Sequence, residues 1–205
     1  MVITCGPIED KRDIKLVLPS DPTQIGVMVS GGIDSALLLY LVYLQNIFTG
    51  NKHDIRAYTV ARKEGAKYFA CAVVEQIQRS LGIPPQKPFM VGDATVYEPL
   101  QVTTGMIQAV RHGCSEVYLG VIEQQPEHLL GWKKIQVTPD RIFKYPLMHV
   151  TKSHIIDAVC SVNQQSLFHI THSCDSETDR CGLCNGCRER AWGFSMMNVE
   201  DPGFV

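Results

Sequence analysis

Gln24-Ile25-Gly26-Val27-Met28-Val29-Ser30-Gly31-Gly32-Ile33-Asp34-Ser35, leading into the apolar-rich stretch Ala36 to Phe48, decides the fold. A short apolar run, two glycines, a polar pair and a long apolar segment are the pattern of a strand, a tight turn and a helix. Adjacent glycines at such a turn let the backbone take φ > 0 and approach a ligand closely, while amides at the helix N-terminus point toward an anion. The turn therefore reads as a pyrophosphate cradle. Ser30 and Ser35 add hydroxyl donors, and Asp34 either caps the helix or helps to hold Mg²⁺ on bound phosphates. A bare Gly-Gly pair would be a tight turn and nothing more; five specified residues between an apolar strand and an apolar helix favour the ligand. Neither G-x-x-x-x-G-K-[ST] nor G-x-G-x-x-G occurs, so the Walker and dinucleotide forms of phosphate loop are set aside.

Downstream the same alternation repeats. Ile55 to Val60 reads as a strand, Ala66 to Leu81 as a helix ending at Gly82, and Lys87 to Val91 as a strand. A helix from about Glu98 to His112 stops at Gly113, and strands follow at Glu116 to Gly120 and Ile142 to Pro146. Thr151 is the expected N-cap of a helix running to Val162. Strands alternating with helices predict an α/β, Rossmann-like parallel sheet with helices on both faces and ligands at the carboxyl ends of the strands. Residues 1–165 form the nucleotide domain in this reading, and residues 166–205 a small C-terminal zinc-binding module.

Composition agrees. With 205 residues, 45% hydrophobic and 20% charged, the chain suits one globular domain with a small appendage. A net charge of −2 offers no general attraction to a phosphate backbone, which favours a small-molecule substrate over nucleic acid. The longest apolar run, Ala36 to Leu44, is nine residues, too short for a membrane span. Gly6 and Pro7 interrupt the N-terminus before any signal-peptide core, so a cytoplasmic protein is expected.

Four of the eight cysteines fall at Cys174-x6-Cys181-x2-Cys184-x2-Cys187, with Gly182 and Gly186 to let the chain wrap an ion. Four thiolates without an open position suit structural Zn²⁺ better than disulfides; an Fe–S cluster is the lesser alternative. Cys5, Cys71, Cys114 and Cys160 read as buried small apolar residues, and the seven histidines as structural or exposed. Trp132 and Trp192 read as packing residues. Among residues at strand ends, Glu123, Arg62 and Lys63 are placed to meet a ligand or solvent. Lys152 is the stronger candidate, because a cation at a helix N-terminus opposes the macrodipole and suits phosphate or adenylate charge instead.

Ser30 to Ser35 matches in full the SGGxDS signature of the N-type ATP pyrophosphatases, or PP-loop enzymes, and the chain resembles that family. The resemblance implies ATP gripped by Ser30, Gly31, Gly32, Ile33, Asp34 and Ser35 and attack on the α phosphate; Arg62, from its strand end, is a further candidate ATP contact, and Asp34, Ser35 and Lys152 are the candidate catalytic residues. His172-Ser173-Cys174 and Cys181 through Phe194 are similar to the C-terminal zinc motif of the 7-cyano-7-deazaguanine synthases, which ends roughly SC…CGxCxxCxxRxxAF. Pro146-Leu147 with Thr151-Lys152 also resembles that family. This implies ATP, Mg²⁺ and Zn²⁺ as cofactors, a carboxylate-bearing deazapurine as substrate, an ammonia donor, and a homodimer as an admissible assembly. The middle of the chain departs from the pattern. Gly120 to His128 stands where those synthases read G-x-N and then DYSGYPDCRPEF, and Tyr58 to Glu64 replaces a YGQRH-like run. An amidotransferase or base-thiolating PP-loop enzyme, with Cys71 and Cys114 as a trial cysteine pair, is the nearest rival. A non-catalytic ATP-binding zinc module is the more distant one.

Overall fold

A computed structural model of the chain describes residues 1–60, 65–92, 98–124, 141–176 and 179–203. An antiparallel hairpin, β1 (Val2–Cys5) with β2 (Arg12–Lys15), precedes the main sheet. The central strand β3 (Gln24–Met28) runs through the glycine turn into α1 (Ile33–Phe48). There follow β4 (Asp54–Val60), α2 (Ala66–Leu81), β5 (Phe89–Val91), α3 (Glu98–Arg111), β6 (Glu116–Leu119) and β7 (Phe143–Lys144). The C-terminal part carries α4 (Lys152–Ser161), the single turn α5 (Leu167–Ile170) and α6 (Asn185–Met196).

The five strands are parallel and ordered β5-β4-β3-β6-β7. Chain direction across the sheet reverses at β3, the switch point at which open α/β sheets bind ligands. Alternate residues of β3 and β4 supply two cores. Ile25, Val27, Ile55 and Ala57 pack with Leu37, Leu38 and Leu41 of α1, Val73 and Ile77 of α2 and Ile155 and Ile156 of α4. Met28, Tyr58 and Val60 join Met106 and Ala109 of α3 on the other face. Phe168 and Phe194 belong to the first of these cores and meet edge to face at 4.9 Å.

Thr151 stands at the N-cap of α4 with extended backbone (φ −94°, ψ 175°), yet the reciprocal bond comes from His154. The Thr151 amide donates to His154 Nδ1 (3.3 Å), and Nε2 lies 2.8 Å from the Asp10 carbonyl. This holds the ring neutral with the proton on Nε2. Burial lowers the His154 pKa from its ordinary value near 6.5. As pH falls, the unfolded chain takes up that proton before the folded one, so the contribution is complete above about pH 6.5 and declines below it. Melting temperatures measured between about pH 7.5 and 5 should fall more steeply for the parent than for His154→Asn, whose amide oxygen keeps the acceptor without the titration. Parallel curves would refute this assignment.

Candidate active site

Ser30 to Ser35 forms the turn at the carboxyl end of β3. Gly31 has φ +86°, and a Cβ there would lie 2.6 Å from Phe69 Cβ, so the position admits only glycine. Gly32, expected to share that freedom, is instead extended at φ −80° and is itself the N-cap of α1. Ser35 accepts from the Ser30 amide (3.1 Å) and donates to the Gly32 carbonyl (3.0 Å), which ties the turn to the first helical turn. Gly120, at the end of β6, lets that strand approach: a Cβ would sit 2.9 Å from the Ser35 nitrogen.

Asp34 does not cap the helix. Its carboxylate accepts two bonds from Lys152 Nζ, at 2.7 and 2.6 Å, and Glu189 Oε2 takes the remaining direction at 3.1 Å. The ammonium is 2% exposed at its side chain, Glu189 9% and Asp34 21%. Burial opposes the charge on Lys152, but the two carboxylates more than offset it and raise its pKa; burial raises that of Glu189. Gly193 makes room, since a Cβ there would lie 2.5 Å from Lys152 Cγ.

These groups line a pocket of about 190 Å³ between the turn, the start of α2 and the Cys-rich segment; Ser30, Gly32, Phe69, His172, Ser173, Asp175 and Gly186 complete much of its wall. His172 stacks on Phe69 (centroids 4.1 Å apart, planes at 5°), and its amide donates to the Gly31 carbonyl at 2.9 Å. On the other side of Ser30 and Ser35 lies a second recess of about 190 Å³, lined mainly by apolar residues including Met28, Val60, Leu119 and Val121.

The sulfurs of Cys174, Cys181, Cys184 and Cys187 all lie within 4.8 Å of one another. A tetrahedral ion with metal–sulfur bonds of about 2.3 Å requires edges of about 3.8 Å, and Cys174 and Cys184 Sγ are 3.8 Å apart. Backbone amides of Leu183 and Cys184 point at Cys181 Sγ (3.4 and 3.3 Å) and lower its pKa to about 6, whereas burial pushes Cys187 up to about 12. One sulfur is thus ready as thiolate, and another needs a cation to become one. The donor set fits a single zinc ion.

A family model described as queuosine biosynthesis protein QueC matches residues 101–198. The 7-cyano-7-deazaguanine synthase of Saccharophagus degradans is 24% identical over an alignment of 217 positions, covering 86% of this chain and 95% of that protein. That of Leptospira biflexa is 27% identical over 233 positions, covering 86% and 92%. The chain resembles the 7-cyano-7-deazaguanine synthases. A third synthase, from Sulfurimonas denitrificans, is 31% identical over 109 residues, which span about half of either chain (51% and 46%). Among solved structures, the U34-tRNA thiolase NcsA from Methanococcus maripaludis with its 4Fe–4S cluster covers 90% of this chain and 67% of its own, at 12% identity and a TM-score of 0.44.

The structure brings Ser30, Gly32, Asp34, Lys152 and Cys174 of the sequence-derived site to one pocket, while Ser35 faces the second recess. Arg62, Lys63, His128 and Trp132 lie outside the described residues. Glu123 pairs with Arg12 of the hairpin. Cys71, expected inside, is exposed on α2, and Cys160 is half-buried. Among the histidines, His172 lines the pocket, and Trp192 is half-buried. Phe69, His172, Asp175 and Glu189 escaped the sequence reading. His172 and Glu189 had a signal, both lying within the stretch that carries the cysteine motif.

Proposed function

We propose that the protein activates a carboxylate with ATP and amidates it, converting 7-carboxy-7-deazaguanine to 7-cyano-7-deazaguanine. The observation that carries this reading is the buried Lys152 on Asp34 at the floor of the glycine turn, in a chain similar to those synthases along most of its length. The turn amides and the Ser30 hydroxyl hold the β and γ phosphates, and Lys152 meets charge developing at the α phosphate. Asp34, which lines the pocket and is the more exposed of the two carboxylates on Lys152, is the one that would hold Mg²⁺, which supplies charge neutralisation on the phosphates. The apolar recess beside Ser35 suits a flat purine-like ring.

A substrate carboxylate oxygen attacks the α phosphorus and the bond to the β-phosphate oxygen breaks, releasing pyrophosphate. Ammonia then attacks the acyl carbon; AMP leaves with one carboxylate oxygen, and the nitrogen loses its extra proton. A second adenylation on the amide oxygen, followed by loss of AMP and the two amide protons, leaves the nitrile. Each AMP thus carries away one oxygen of the original carboxylate. The protein's part is positioning and charge stabilisation, without a covalent nucleophile.

A thiolating reading is less well supported. Cys114 is buried just ahead of β6, at the end of the sheet away from the glycine turn, 3.4 Å from the Tyr58 hydroxyl, while Cys71 is exposed on α2. No helix among the described residues is long and apolar enough to cross a membrane.

Mass spectrometry after incubation with ATP, Mg²⁺, ammonium and 7-carboxy-7-deazaguanine should show the nitrile with two AMP per turnover. AMP without the nitrile, on another carboxylate, would move the substrate and keep the activation. Asp34→Asn retains an acceptor for Lys152 and should reduce AMP release on the order of a hundredfold with little change in melting temperature. Unchanged AMP release would remove the turn from the chemistry.

A further inference from the structure

The residues that hold the glycine turn are placed just outside the cysteine cluster on both sides. His172, two residues before Cys174, donates its amide to Gly31; Glu189, two residues after Cys187, binds the ammonium that binds Asp34. Cys184 is the N-cap of α6 and accepts from the Cys187 amide at 3.5 Å, so the helix that presents Glu189 starts on the cluster itself. A Cβ on Gly186 would lie 1.8 Å from the Ser173 carbonyl oxygen, so the two arms press together beside the pocket.

Lys152 has three N–H bonds, and all three are used: two on Asp34, one on Glu189. To reach a phosphate it must release at least one bond to Asp34. Glu189 is then the anchor that keeps the ammonium charged and in place, and its position is set by the chain that wraps the metal.

We propose that Glu189 is a positioning residue that couples metal occupancy of the cysteine cluster to phosphate binding at the glycine turn. The cluster acts as a clasp with one arm on Gly31 and the other on Lys152, rather than as a remote brace. Pyrophosphate or Mg-ATP in the pocket should tighten metal binding and so slow metal loss, and by reciprocity metal loss should weaken phosphate affinity by the factor by which the ligand raises metal affinity, on the order of tenfold. This inference rests on the nucleotide reading above.

The test is the rate at which zinc passes from the intact protein to a chromogenic chelator, with and without Mg-pyrophosphate, beside calorimetric titration of Mg-pyrophosphate. The parent should release zinc about tenfold more slowly with ligand. Glu189→Gln removes the charge at nearly constant volume, and Glu189→Asp keeps the charge but shortens its reach; both should bind zinc at one equivalent with the ligand effect reduced to about twofold or less. A merely structural role would lower the melting temperature of both variants and leave the ratio of release rates unchanged, which would overturn the proposal. So would a parent that binds pyrophosphate with no change in zinc release. A parent that binds neither Mg-pyrophosphate nor Mg-ATP would overturn the nucleotide reading together with this inference.

Discussion

Lys152→Met should lower the melting temperature by roughly 6–20 °C and AMP release by more than about a hundredfold. The first effect follows from what the substitution leaves behind. Asp34 and the buried Glu189 lose their shared cation and face each other around an apolar side chain. Removing one partner of a buried ion pair costs about 3–5 kcal/mol, and each kcal/mol moves the melting point of a chain this size by about 2–4 °C. The second follows from loss of the ammonium that Asp34 holds at the turn, the one such group among the described residues that line the pocket. A double variant, Lys152→Met with Glu189→Leu, separates the two, because the buried anion goes with the cation. Its melting temperature should recover most of the loss while AMP release stays at the level of the single variant. Recovery of activity in the double variant would mean that Lys152 acts through folding alone.

Cys184→Ser is expected to drop bound zinc below about a tenth of an equivalent and the melting temperature by more than about 10 °C. Cys184 closes the cluster against Cys174 and caps α6; serine keeps the cap, so the substitution isolates the loss of the metal ligand. Metal binding contributes to folding directly in such sites, and burial raises the pKa of Cys187, so its thiolate gains from an ion bound among the four sulfurs. A strong chelator should bring the parent to the variant's melting temperature and leave the variant where it is. Cys71→Ser, at an exposed position on α2, should change neither quantity. Full zinc content in Cys184→Ser would show that the four thiols do not act as one site.

Much of this arrangement was legible before any coordinates. Apolar runs ending on Gly, and in particular the bounds Ala66 and Leu81 with Gly82 in the left-handed conformation behind them, carry the period and the stop signal in the residues themselves. The turn was legible because glycines, a strand and a helix fall in one uninterrupted stretch. The hairpin was not, since each strand has four residues and charges at Arg12, Asp13 and Lys15 obscure the alternation. Nor was α6: its buried face is Cys187, Glu189, Arg190, Gly193 and Phe194, so no apolar stripe marks it. Arg190 is satisfied inside by the Asp201 carboxylate (2.6 and 2.8 Å), the Thr171 hydroxyl and the Phe168 carbonyl, a set of partners that no local pattern reveals. Asp34 looked like a cap because the residue that claims it lies 118 positions away.

That separation has a bearing on how the molecule is made. Residues 24–48 leave a ribosome ahead of the rest of the pocket, as a strand and helix that can begin to pair once β4 follows. The groups that give the glycine turn its charge and its far wall are added later, at positions 152, 172 and 189. Contacts between such distant positions carry a large loop-closure cost and form late in folding. A growing chain therefore exposes the turn before it has the lysine and carboxylate that complete the pocket. Under the proposed nucleotide reading, a nascent chain stalled before Glu189 should not retain ATP.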